Sequence, residues 1–171
     1  NPQSPYGISK AASYWLTKIY RENYEIFCCT GILFNHESTL RSKEFVTKKI
    51  IDVSKKIVKN KKLKLELGNV NVYRDWGWAP EYVEAFWLML QLKKPHDLII
   101  GSGKIFSLKN FVNEVFKLLN ISKKNLKINV KRFKRKLDIR GYKADIRLTK
   151  KILKWQPKVR FKKIVYKMVK N

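Results

Sequence analysis

Asn1-Pro2-Gln3-Ser4-Pro5-Tyr6-Gly7-Ile8-Ser9-Lys10-Ala11-Ala12-Ser13-Tyr14-Trp15 is the stretch on which the reading of this chain turns. Pro2 and Pro5 fix the entry to a helix, because the locked φ of proline suits a first turn whose N–H groups have no helical partner. Ile8, Ala11, Ala12, Trp15, Leu16 and Ile19 recur at i, i+3, i+4, i+7, i+8 and i+11, an apolar helical stripe. The pattern predicts a buried helix with one polar edge made of Tyr6, Lys10, Tyr14 and Thr17. Tyr6 and Lys10 lie one turn apart on that edge. An ammonium beside a phenol favours the phenolate, and a phenolate in a cleft can take the proton of a sugar or alcohol hydroxyl while hydride leaves the carbon. The same spacing recurs at Tyr14/Lys18 and Tyr166/Lys170, so context, not spacing, has to select a site.

Outward from this helix, Tyr24 to Phe34 reads as a strand. Ile26, Phe27, Cys28, Cys29 and Thr30 form the near-continuous apolar run of a parallel strand covered on both faces. A helix followed by a buried strand is half of a βαβ alternation and predicts an α/β fold with a parallel sheet. The strand runs into Gly31-Ile32-Leu33-Phe34-Asn35-His36-Glu37-Ser38, and ligands in open α/β sheets sit beyond the carboxyl ends of strands. Val46, Ile50, Val53 and Ile57 then mark an amphipathic helix with Lys49 beside its apolar face. Leu63 to Leu67 alternates as a half-exposed strand, stopped by Gly68-Asn69.

Tyr73-Arg74-Asp75-Trp76-Gly77-Trp78 leads into a second buried helix, with Ala79, Tyr82, Val83, Phe86, Trp87 and Leu90 in register. Arg74 suits a phosphate or the face of a base through its flat guanidinium, or an ion pair with Asp75 or Glu81. Asp97 to Gly101 is a further short buried strand. Gly101-Ser102-Gly103 is too short for a dinucleotide fingerprint, and no G-x-G-x-x-G occurs. Ser107 caps a helix with Leu108, Phe111, Val112, Val115 and Leu119 on its core stripe. Leu126, Ile128 and Val130 suggest an edge strand. Lys131 to Arg140 reads either as a solvated loop or as a phosphate contact. Thr149 to Lys154 is a short helix, and Phe161, Ile164, Val165 and Met168 mark a last amphipathic one.

With 171 residues and 44% hydrophobic content the chain can bury a core. No run approaches 18 apolar residues, so no membrane span is expected, and no signal peptide is visible at the start. Cys28 and Cys29 are adjacent, unsuited to bridging each other, and have no metal-ligand spacing around them. No metal is expected, and a reducing, cytoplasmic setting fits. The net charge of +26 has two readings: a nucleic-acid or anionic-membrane partner, or a general bias toward lysine. The lysines are spread over every segment and no nucleic-acid-binding motif accompanies them, which favours the second.

Tyr6/Lys10, Asn35-His36-Glu37-Ser38, Phe45-Val46-Thr47-Lys48-Lys49-Ile50 and Arg74-Asp75-Trp76-Gly77 together resemble the GDP-mannose 4,6-dehydratases of the extended short-chain dehydrogenase/reductase family. The likeness extends over Leu67-Gly68-Asn69, Asp97 to Gly103 and Trp155-Gln156-Pro157. It implies the C-terminal part of an NAD(P)-binding Rossmann fold interleaved with a small α/β substrate-binding domain. Residues 1–38 and 75–103 would belong to the Rossmann part, and 39–74 and 104–171 to the sugar-nucleotide part.

The resemblance also implies NADP as cofactor, GDP-mannose as substrate and a homo-oligomer, dimer or tetramer. The reaction would be internal oxidation at C4, loss of water across C5–C6 and return of the hydride to C6. By that likeness Tyr6 and Lys10 are catalytic and also hold the cofactor, with His36 and Arg41. Asn35, Val46, Lys49, Gly68, Arg74, Arg135 and Asp138 contact the sugar nucleotide. Thr39-Leu40-Arg41-Ser42 departs from the family's Pro-Arg-Arg-Gly, Trp78 and Pro80 replace a histidine and a lysine, and Asp138 stands for a glutamate. The family's glycine-rich loop, most of its sheet and its catalytic Thr and Glu precede the Tyr-x-x-x-Lys helix and have no counterpart here. The expectation is therefore a C-terminal portion, inactive alone and prone to aggregate. A related sugar-nucleotide epimerase or reductase, or a basic nucleic-acid-binding remnant, are the alternatives.

Overall fold

The computed structural model describes residues 2–131, 133 and 141–170. Its first helix, α1 (Pro5–Tyr24), begins as its prolines predict, with Ser4 as N-cap accepting from the Gly7 N–H at 3.0 Å, and ends at Glu25 in the left-handed region, φ 53°. Two short strands come next, β1 (Thr30–Leu33) and β2 (Asn35–Glu37). They are nearly one strand that changes partner at Phe34. β1 pairs in parallel with β5 (Asp97–Ile100), Phe34 N–H donates to Ile100 O at 2.9 Å, and β2 then pairs in parallel with β4 (Tyr73–Trp78). This switch carries the chain from one hydrophobic cluster to the other.

The larger cluster lies under α2 (Val46–Lys59), α4 (Leu108–Leu118) and α6 (Phe161–Lys170). Each helix puts its predicted stripe inside: Ile50 and Ile57, Phe111, Val112 and Val115, then Ile164, Val165 and Met168 are buried. Trp76 of β4 packs its ring 5.6 Å from Phe111 and 5.7 Å from Phe161, and Phe106 stacks on Phe161 at 4.1 Å. A parallel pair of β3 (Leu65–Leu67) and β7 (Leu126–Ile128) closes one side. Ser107 and Asn110 form a reciprocal cap at the start of α4.

The smaller cluster joins Tyr82, Ala85 and Met89 of α3 (Ala79–Leu90) to Leu98 and Ile100 of β5, with Leu153 and Trp155 at and beyond the end of α5 (Arg147–Leu153). Thr149 Oγ1 donates to Ile99 O at 2.6 Å, fixing α5 to β5. A Cβ at Gly31 would stand 2.1 Å from Phe86 Cε1, so glycine in β1 is what lets α3 approach.

Four expectations need correction. α1 is helical, yet none of its residues is buried, and Trp15 is 57% exposed; among the described residues no element covers its apolar stripe. The strand expected from Tyr24 begins only at Thr30, because α1 runs on to Tyr24 and its left-handed end must be undone before a ladder can start. The helix expected to be buried after Trp78, α3, buries only one face, leaving Val83, Trp87 and Leu90 exposed. β4 and the antiparallel β6 (Ile105–Ser107) beside it are strands the pattern did not reveal. No helix among the described residues is long and apolar enough to cross a membrane.

Candidate active site

A cleft of about 1290 Å³ opens between α1, the carboxyl end of β1 and the loop after β2. The polar edge predicted for α1 lines it, since Tyr6, Lys10, Tyr14 and Thr17 all face this space. Ser13 and Thr17 return their hydroxyls to the helix carbonyls of Ser9 and Ser13, at 2.9 and 2.8 Å. Tyr6 is 72% exposed, and Lys10 Nζ lies 5.5 Å from its ring centroid. Tyr166 and Lys170 show a similar separation, 5.7 Å, but lie outside the cleft. Location therefore distinguishes the first pair.

The opposite wall is built from β2, the turn after it, β4 and the chain near Tyr142. Asn35, His36 and Arg41 line the cleft, as do Arg74 from β4 and Tyr142. His36 Nδ1 is 3.0 Å from Phe34 O; a carbonyl only accepts, so Nδ1 carries the hydrogen and Nε2 is left as the acceptor. Its ring leans on Tyr82 at 5.3 Å. Tyr82 is buried with no hydrogen-bond partner for its hydroxyl. Burial, reinforced by the carboxylates of Asp75 and Glu81, pushes that phenol well above its ordinary range.

Arg74 donates to Tyr73 O at 2.7 Å. The two carboxylates considered as its partners are engaged with backbone amides. Asp75, fully buried, accepts from Ser102 N–H at 2.7 Å, Gly103 N–H at 2.8 Å and Ala144 N–H at 3.2 Å. Glu81 accepts from Lys158 and Val159 N–H at 2.7 and 3.1 Å. Gly101-Ser102-Gly103 is thus a cradle for a carboxylate of its own chain, and a Cβ at Gly101 would meet Ala144 Cβ at 2.3 Å.

Three predicted contacts lie away from the cleft. Val46 packs against the larger cluster. Lys49 Nζ donates to Glu66 O at 2.9 Å and sits 4.7 Å over the Phe133 ring, while a Cβ at Gly68 would meet Phe133 Cβ at 2.7 Å. Lys49, Gly68 and Phe133 thus form a second locus. Arg135 and Asp138 lie outside the described residues.

Sequence reasoning missed Glu37. It is 1% exposed, accepts from Thr47 Oγ1 at 2.9 Å and has Arg41 Nε 3.2 Å from Oε2. Burial pushes its carboxyl up to about 7, against the opposing pulls of Arg41 and Thr47. α1 is tied to the sheet by a bidentate pair from Arg21 to Asp97, at 3.2 and 2.5 Å, and by Arg21 Nε donating to Cys28 O at 2.7 Å. Arg21 holds the Asp97 carboxyl below its usual range.

The sequence model of the family described as GDP-mannose 4,6 dehydratase matches residues 1–168. The chain is 42% identical to GDP-mannose 4,6 dehydratase 1 of Arabidopsis thaliana over 169 residues, which is 99% of this chain and 47% of that one. It is 37% identical over 186 residues to the Homo sapiens GDP-mannose 4,6 dehydratase, covering 98% of this chain and 50% of the relative. It spans about half the length of these relatives.

Among solved structures it resembles dTDP-glucose 4,6-dehydratase from Bacillus anthracis in complex with NAD, with TM-score 0.87 at 20% identity over 99% of this chain and 52% of that one. It also resembles RMD from Pseudomonas aeruginosa complexed with NADPH, with TM-score 0.85 at 16% identity, over 99% and 56%. The architecture is therefore the one expected, parallel Rossmann strands with a small α/β unit interleaved.

Proposed function

Because this chain belongs to the GDP-mannose 4,6 dehydratase family, we propose that it contributes the Tyr6/Lys10 helix and the sugar-nucleotide unit to a GDP-mannose 4,6-dehydratase, a hydro-lyase using NADP. The observation that carries the reading is the convergence of Tyr6, Lys10, Asn35, His36, Arg41 and Arg74 on one cleft. The two hydrophobic clusters support a division between a Rossmann part and a sugar-nucleotide part, with α5 and Trp155 packed on the Rossmann side.

The residues fit a nicotinamide nucleotide. Arg41 directs its terminal amino groups to no described residue, and the described lining holds two further cations, Lys10 and Arg74, and no carboxylate. When bound, the cofactor supplies the acceptor and later the donor of hydride. Tyr6 takes the proton of the sugar C4 hydroxyl, and Lys10, one turn on, gives the phenolic oxygen its counter-charge. His36 keeps its Nε2 toward ligand through the Nδ1 bond to Phe34 O. Asn35 and Arg74 orient the sugar nucleotide from one side of the cleft. The second locus, at Lys49 and Gly68, holds the nucleotide end.

Loss of water needs a base for the C5 proton. No carboxylate among the described residues lines the cleft, and the resemblance puts the family's catalytic glutamate ahead of the Tyr6/Lys10 helix; on that reading residues 1–171 alone do not complete the elimination. Free thiols at Cys28 and Cys29 support a reducing, cytoplasmic setting. The test is incubation of the intact protein with NADP and GDP-mannose, followed by mass spectrometry of the sugar nucleotide. Loss of one water is the expected result. Unchanged GDP-mannose, with turnover of another nucleotide sugar, would assign the chain to a different substrate.

A further inference from the structure

Among the described residues Glu37 and Asp75 are the buried carboxylates, and only Asp75 is satisfied by backbone amides. Asp75 has three amides. Glu37 has a threonine hydroxyl and a guanidinium, and a buried carboxylate so sparsely partnered works against folding. A methionine or glutamine of similar length would fill the same space at lower cost. The charge therefore calls for a use.

That use is visible four residues on. Arg41 sits at the end of a tight turn in which Arg41 N–H donates to Ser38 O at 3.3 Å and Leu40 N–H to Ser38 Oγ at 3.1 Å. Its guanidinium is held on two sides. Nε is 3.2 Å from Glu37 Oε2, an ion-pair contact without the alignment of a hydrogen bond. The guanidinium carbon lies 3.5 Å from the Phe45 ring centroid, a stacked cation–π contact. Glu37 is itself steadied by Thr47, in the first turn of α2. Both terminal amino groups of Arg41 are left without a hydrogen bond to any described residue, and the side chain lines the cleft.

We propose that Glu37 is a positioning residue, which together with Thr47 and Phe45 locks the Arg41 guanidinium so that its terminal N–H groups are presented, already ordered, to a phosphate of a nucleotide bound in the cleft. The inference rests on the reading of Arg41 as a nucleotide contact and adds why that arginine is held still. A flexible arginine would lose rotamer freedom on binding, whereas one clamped on two sides has lost it beforehand. The phosphate can come from the nicotinamide nucleotide or from the sugar nucleotide, so both are probed.

The experiment titrates NADPH, and separately GDP, into the intact protein by fluorescence, for Glu37→Gln, Glu37→Met, Arg41→Ala and the double variant Glu37→Gln/Arg41→Ala. Arg41→Ala should weaken one of the two nucleotides about tenfold, and Glu37→Gln the same nucleotide about fivefold, losses typical of a charged hydrogen bond. In the Arg41→Ala background, Glu37→Gln should add less than about twofold, because the two act through one group. Glu37→Met should melt no lower than the unaltered protein and still bind more weakly, which a merely structural glutamate would not show. At saturating nucleotide, kcat for Glu37→Gln should stay within about twofold of the original.

Additive losses, or a Glu37→Met variant that binds as tightly as the original, would overturn the proposal while leaving Arg41 as a contact. An Arg41→Ala variant with unchanged affinity for both nucleotides would remove the contact reading and this proposal with it. A loss confined to GDP would keep the clamp and move Arg41 from cofactor to sugar nucleotide.

Discussion

Around Phe161, stacked aromatic rings and the inner faces of α2, α4 and α6 shut out solvent, while along the 20 residues of α1 no side chain is buried. The first region holds the chain together. The second carries Tyr6 and Lys10, the pair to which we assign the chemistry, attached mainly through Arg21 and Asp97 and the turn of chain before β1. Hydrophobic burial sets stability roughly in proportion to the area removed from water, so the two regions should answer mutation very differently. A catalytic helix can be held by a few polar ties when the fold's stability is supplied elsewhere.

The largest expected effect lies in the packed region. Phe111→Ala leaves a hole between Trp76 and Phe161 and should cost about 3–5 kcal/mol in urea melts, whereas Trp15→Ala on α1 should stay within about 0.5 kcal/mol. Equal losses would erase the contrast.

Glu37 should come next, at the seam between the regions. Its folded pKa of about 7 is raised from the ordinary 4.5, so its contribution is fully present below about pH 4.5 and is lost as pH rises through 7. Stability should fall over that window by roughly 3 kcal/mol on its account, and Glu37→Gln should flatten the profile. A profile unchanged by the substitution would place the titration on another group.

Arg21→Ala should cost about 1–3 kcal/mol, the range for hydrogen bonds to charged groups, read as lost amide-exchange protection within α1 rather than as a lower global midpoint. The smallest effect compares two caps. Ser107→Ala should lower the global stability by about 1 kcal/mol, while Ser4→Ala should only loosen the first turn of α1. A global loss from Ser4→Ala would mean that α1 is coupled to the core after all.

Legibility in the sequence divides along the same line. α2, α4 and α6 each carry an apolar stripe that meets a partner within this chain, so periodicity, caps and burial agree. The stripe of α1 was equally legible as a helix, but burial depends on the surface that faces it, and periodicity contains no such information. β4 escaped notice because Asp75, Trp76, Gly77 and Trp78 are all buried, with no alternation, and because an aspartate in a strand makes sense only once three amides converge on it. β6, three residues long, is too short for a pattern. The motif Asn35-His36-Glu37-Ser38 pointed to the cleft through His36, whereas the burial of Glu37 depends on Thr47 ten residues away and could not be read locally.

The central claim is that the chemistry belongs to the exposed Tyr6/Lys10 pair on α1 and not to its look-alike Tyr166/Lys170. The most direct measurement is conversion of GDP-mannose with NADP by the intact protein carrying Tyr6→Phe or, separately, Tyr166→Phe, with both variants checked for an unchanged melt. The account predicts that Tyr6→Phe abolishes loss of water and Tyr166→Phe leaves it intact. Full conversion by Tyr6→Phe would contradict it.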